Sequence, residues 1–168
     1  MYLTKVGVTK ENAPYIDFEK VASDLLMISV ESSSSHNGLS YWRLTGMKDM
    51  PPLEMGVDYE NGDLANITFF ADPSCIKDEK VLHTDCYQGN LIISTNIFQK
   101  VNDYVDINET YEVYIQDKKC VCMFKTMEKL AKIYRNGRLE VYLNNQNMVI
   151  GIGISNLSDT ELQLFRDV

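Results

Sequence analysis

Two Asn-Gly pairs between alternating apolar runs, Asn61-Gly62 and Asn136-Gly137, predict hairpins, and a serine–glutamate pair near the C-terminus predicts one capped helix. Together they give an α+β fold class: predominantly antiparallel β, in curled sheets or a meander of hairpins, with a short C-terminal helix. A chain of 168 residues suits a single domain over 1–168. It buries roughly 68–70% of its unfolded surface, enough for a core without metal or disulfide staples.

Residues 24–31 (DLLMISVE) and 39–46 (LSYWRLTG) carry the β-branched and aromatic side chains of strands. Ser32–Ser35 with His36, Asn37 and Gly38 read as the loop between them, and Pro51-Pro52 breaks the chain afterwards. In PLEMGVDYENGDLANITFFAD, Leu53, Met55 and Val57 alternate with Glu54, Gly56 and Asp58, the period of a half-buried strand. Asn61-Gly62 offers the positive-φ pair of a type I′ turn, and Leu64, Ile67 and Phe69-Phe70 supply the return. Residues 90–100 (NLIISTNIFQK) mix both periods and point to no one element.

Residues 110–116 (TYEVYIQ) and 119–125 (KCVCMFK) read as a second hairpin around Asp117-Lys118. TMEKLAKIYRNG fits two readings. Met127, Leu130, Ala131 and Tyr134 form a helical stripe with Gly137 as its C′ residue; alternatively, Asn136-Gly137 turns a hairpin from 131–135 into 138–144. The hairpin is favoured because RLEVYLN follows the turn directly. A strand over 148–154 completes the meander. Ser158 and Glu161 then form a capping box, with Leu157 and Leu162 at the staple positions of a helix over 159–166. LEMGVDYENGDLANIT and LEVYLNNQNMVIGIG also echo each other, which fits two hairpins that pack as pseudo-equivalent units and equally the common pattern of unrelated hairpins.

Charge is sorted along the chain. Between Asp49 and Ile76 stand six carboxylates and no Lys or Arg, whereas Lys118 to Arg138 holds seven bases and one acid, Glu128. Such sorting bears on steering and partner choice more than on fold. The net charge of −8 disfavours nucleic acid and anionic membranes as partners. The acid-only run falls on the first hairpin, so Glu54, Asp58, Glu60, Asp63 and Asp72 are the candidate partner-binding charges. Internal pairing with Lys125, Lys129, Lys132 and Arg135 is the competing use of them. Trp42, between Tyr41 and Arg43, is a candidate interface anchor, although the core is the commoner place for tryptophan in a β-rich domain.

Chemical motifs are weak. Cys75, Cys86, Cys120 and Cys122 with His83 lack the C-x₂₋₄-C spacing of structural zinc, and Cys120 and Cys122 face one way on a strand. Core cysteines, no metal and no cofactor are expected. His83, Asp85 and Cys86 are too close along a strand to converge readily as a catalytic set. DYENGD fails the calcium-loop pattern, since Phe69 stands where a bidentate Glu is needed. Gly151 and Gly153 start a dinucleotide fingerprint that Asn156 breaks. The N-terminal MYLTKVGVTK lacks a secretory apolar run, so a cytoplasmic protein with reduced thiols is expected.

The hairpin LEMGVDYENGDLANITFF and the stretch RLEVYLNNQNMVIGIGISNLSDTELQLF resemble small acidic bacterial immunity proteins of polymorphic-toxin systems. That resemblance implies curled antiparallel sheets with few helices, and a surface that covers a cognate toxin. The expected function is therefore binding of a basic protein partner, not catalysis. A small-ligand or carbohydrate-binding β-domain, with Trp42 and tyrosines as stacking surfaces, is the alternative, and an enzyme of unrecognised type comes third.

Overall fold

Apolar alternation sorts the side chains to two faces, strand by strand. In the computed structural model, which describes residues 3–7, 13–34, 36–77, 84–124 and 128–168, the strands build two large mixed sheets. The chain begins with β1 (Leu3–Gly7), β2 (Tyr15–Ala22), β3 (Leu25–Glu31) and β4 (Leu39–Leu44). β5 (Leu53–Asp58) and β6 (Leu64–Ala71) are the acidic hairpin. β7 (Ile76–Lys77), β8 (Cys86–Gln88) and β9 (Asn90–Ile93) are short, and a 3-10 turn covers Thr95–Ile97. β10 (Tyr104–Ile107), β11 (Tyr111–Gln116), β12 (Lys119–Phe124), β13 (Lys132–Asn136), β14 (Leu139–Leu143) and β15 (Val149–Ile154) precede α1 (Asp159–Arg166).

One sheet has the order β10-β4-β5-β6-β3-β2, the other β7-β11-β12-β15-β14-β13-β8, and β1 pairs with β9. Leu26, Ile28, Leu53, Met55, Ile67 and Phe69 from the first meet Val113, Cys120, Cys122, Val141, Ile152 and Ile154 from the second in one apolar core. Trp42 lies in that core, 5% exposed, with its ring 5.3 Å from Phe124. Tyr111 crosses between the sheets, its hydroxyl donating to the Phe70 carbonyl at 2.9 Å.

The sequence echo marks a structural duplication. Each sheet contains five antiparallel strands in one order: β2-β3-β6-β5-β4, and β11-β12-β15-β14-β13. Arg43 faces Glu54 across β4 and β5 as Arg135 faces Glu140 across β13 and β14. Ala65 and Ile150 are skipped by the pairing at matching points, so the same bulge recurs. Asp58 accepts from the Glu60 amide, and Asn144 from the Gln146 amide, in the same Asx turn.

The hairpin over 53–70 forms, but its turn is not type I′. Type I′ needs positive φ at two adjacent residues; here only Gly62 is left-handed, at φ +80, and Asn61 is not. The Asp58 carboxylate gathers the Glu60 and Asn61 amides at 2.9 and 3.2 Å, which widens the loop to Tyr59–Gly62. The I′ geometry belongs to Asp117 and Lys118 instead, at φ 45 and 60. The later hairpin forms as favoured, one residue displaced: Asn136 pairs with Leu139, and Gly137 at φ +60 opens the turn. Met127, one residue of the competing helical stripe, lies outside the described residues.

The helix occupies Asp159–Arg166 with both halves of its capping box formed, and Leu157 is buried beneath it. Ser158→Ala should lower stability by about 1 kcal/mol, because the Glu161 amide loses its acceptor. Urea unfolding reads this, and an unchanged midpoint would mean that the cap contributes nothing.

Candidate functional site: the outer faces of the two sheets

The outer faces of the two sheets have diverged. On the seven-stranded sheet, Tyr114, Val121, Met123, Ile133, Tyr142 and Ile150 form a second apolar cluster, each at most 9% exposed. Gly151 and Gly153 make it possible. A Cβ on Gly151 would sit 2.6 Å from Met123 Sδ, and one on Gly153 would collide with the Tyr142 hydroxyl. The strand is bare so that neighbouring side chains can lie across it.

Within this layer Glu140 is fully buried. Its carboxylate accepts from Lys119 Nζ at 2.9 Å, from Tyr142 Oη at 2.7 Å, and from Arg135 through Nε at 2.9 Å and a second guanidinium nitrogen. Burial alone would raise its pKa, but the Tyr142, Lys119 and Arg135 donors outweigh that and hold it below the usual glutamate value. Sequence reasoning missed this group. A lone Glu in the otherwise apolar LEVYL, facing the bare strand GIG, was the available signal.

The six-stranded sheet presents the opposite face. At its outward positions stand Asp17, Glu19, Glu31, Glu54 and Asp106, five carboxylates against the single guanidinium of Arg43. Tyr15 and Tyr104 are 66% and 53% exposed at its two sides. Arg43 grips Asp106 with two bonds, at 2.7 and 2.9 Å, lies 4.6 Å above the Tyr104 ring, and comes within 3.6 Å of Glu54. Tyr104 stacks on Tyr41 at 5.3 Å. The Arg43 hydrogen bonds lower the Asp106 pKa, and Asp106 in turn raises that of Arg43. The result is a stack of two tyrosines and an arginine, fixed by the Asp106 carboxylate.

The sequence-predicted residues divide between fold and surface. Glu54 belongs to the open face and Glu60 is exposed on the hairpin turn. Asp63 is half-buried beside them, bridged through its backbone to Ile92. Asp58 is only 2% exposed and Trp42 is a core residue, so neither is available as a surface contact. Burial raises the Asp58 pKa, but the Asn61, Glu60 and Asn37 amides and His36 more than reverse this, so it stays below the usual range. Asp72 is a turn carboxylate, accepting from the Ser74 and Cys75 amides at 2.9 Å each. Of the bases weighed against the hairpin, Lys125 lies outside the described residues, Arg135 turns to Glu140 and Lys132 to Asn147, while Glu54 meets Arg43 instead.

Cys75, Cys120 and Cys122 are buried as expected, and burial pushes the Cys75 thiol up to about 11. Cys86, on an edge strand, is exposed and corrects the expectation of four core cysteines. His83 lies outside the described residues. A cavity of about 40 Å³ opens between the sheets near Asp63, Asn66, Leu91 and Tyr134. Among the described residues, no helix is long and apolar enough to cross a membrane. No protein-family model matches the chain, and no curated protein is detectably similar to it.

Proposed function

We propose that this is a protein-binding module of the immunity-protein kind, which neutralises a basic partner through the open acidic face of its six-stranded sheet. The observation that carries the reading is the contrast between the two outer faces. The same scaffold is apolar and closed on one side, but acidic and edged with exposed tyrosines on the other. Exposed ion pairs stabilise a fold by only about 0–1 kcal/mol each, so five outward carboxylates around one arginine find little reason in folding. They find one in recognition, where complementary charge speeds encounter and rejects wrong partners. Tyr41, Tyr104 and Arg43 supply the side-chain types that dominate binding energy. Glu60 adds an exposed carboxylate at the hairpin turn.

Glu31→Lys with Glu60→Lys changes two exposed residues and should leave thermal unfolding unaltered to within about 0.5 kcal/mol per site. With the partner recovered from the native host, association should slow roughly tenfold or more at low salt, with a shallower salt dependence and little change in dissociation. Host cells carrying the variant should lose protection against the partner. A folded variant with wild-type association kinetics would refute the reading.

A further inference from the structure

The duplication also reveals which edge of the molecule is unfinished. The two five-stranded units have four lateral edges between them: β2 and β4, β11 and β13. Three are covered by short parallel strands from elsewhere in the chain, β10 on β4, β7 on β11 and β8 on β13. Among the described residues nothing pairs with the fourth. Yet β2 is eight residues long, and Tyr15 and Val21 are 66% and 44% exposed along it. α1 meets β2 on the inner side of the sheet, where the Phe165 ring packs edge-on against Phe18 at 5.9 Å, but no described strand is hydrogen-bonded to the β2 edge. A long edge without a strand partner presents unpaired N–H and C=O groups as a template for another strand.

We propose that β2 takes an extended basic segment of the partner protein, added parallel to it as β7 is added to β11 at the equivalent edge. This rests on the protein-binding reading and names where and how part of the partner is held. The choice of occupant follows from charge. A second copy would pair antiparallel across a twofold axis, setting outward residues opposite outward residues. The registers that keep most of β2 paired then place Asp17 opposite itself, Asp17 opposite Glu19, or Glu19 opposite itself. Lys20 gives no relief, because it alternates to the other side and its Nζ donates to the Asp167 carbonyl. Like charges directly opposite are destabilising, so β2 repels its own copy. A strand with Lys or Arg at alternate positions and apolar residues between them meets Asp17 and Glu19 on one side, and Ile16 and Phe18 on the other.

The test follows amide hydrogen exchange of the full chain by NMR, with two blocked octapeptides at millimolar concentration as probes: alternating Lys-Val and alternating Glu-Val. The Lys-Val peptide should slow exchange of the β2 amides between Tyr15 and Ala22 that point away from β3, with roughly tenfold preference over Glu-Val. Asp17→Lys with Glu19→Lys should reverse that preference. Equal protection by both peptides, or none by either, would overturn the proposal. So would concentration-dependent protection of β2 without peptide, which would make a second copy the occupant. If β2 stays unprotected while Glu31→Lys with Glu60→Lys still slows the natural partner, the edge proposal alone fails and the protein-binding reading stands.

Discussion

Glu140→Ala is expected to lower the unfolding free energy by about 3 kcal/mol, the largest effect of any single carboxylate here. Deleting it leaves the Lys119 and Arg135 cations without their shared acceptor and orphans the Tyr142 hydroxyl. Removing one partner of a buried ion pair typically costs about 3–5 kcal/mol. Both cations are about one-third exposed and regain some water, which places the loss at the lower end. The pH dependence carries the same signature. The Glu140 pKa is held below its unfolded value of about 4.3, so its stabilisation is full above that pH and is lost as pH falls through the folded value. Wild type should therefore lose stability below about pH 4–5, and Glu140→Ala should show a flatter acid limb. Urea unfolding across pH 3 to 7 reads both effects. Parallel curves would mean that Glu140 titrates normally.

Asp58→Ala should cost about 2 kcal/mol, since three backbone amides, of Asn37, Glu60 and Asn61, lose their one buried acceptor, although water can reach the exposed turn in its place. Asp58→Asn should cost about 1 kcal/mol or less, because Asn144 performs the same task in the second unit with an amide oxygen. Should the two variants lose equal stability, charge and not turn geometry would be the essential property, and the equivalence of the two units at this position would fail.

What the sequence reveals here is what is local. The capping box needs only Ser158 and Glu161 three residues apart, and the hairpins over 53–70, 111–124 and 132–143 follow from alternation next to turn residues. Turn type is less secure, since the Asp58 side chain, not the Asn61-Gly62 pair, decides how wide the first loop becomes. The covering strands β7, β8 and β10 have two to four residues and exist only through distant neighbours, so no window of sequence marks them. The candidate site was half legible. Acidity focused on the hairpin, where Asp58 and Asp72 serve turns, whereas the outward acids are scattered over four strands that only the sheet brings together. Asp17, Glu19, Glu31 and Asp106 look unremarkable one by one. Glu140 was hidden for the opposite reason, because an isolated Glu gives no hint that Lys119 reaches it across Gly153 from the neighbouring strand.

Carboxylate footprinting tests the central claim most directly: carbodiimide labelling of the free chain and of its complex with the partner recovered from the host, read by mass spectrometry. Glu31 and Glu60 are exposed on the proposed binding surface, and Asp159 is exposed on the C-terminal helix. Complex formation should suppress labelling of Glu31 and Glu60 and leave Asp159 unchanged. Protection of Asp159 with Glu31 and Glu60 still labelled would place the partner elsewhere on the molecule and contradict the account.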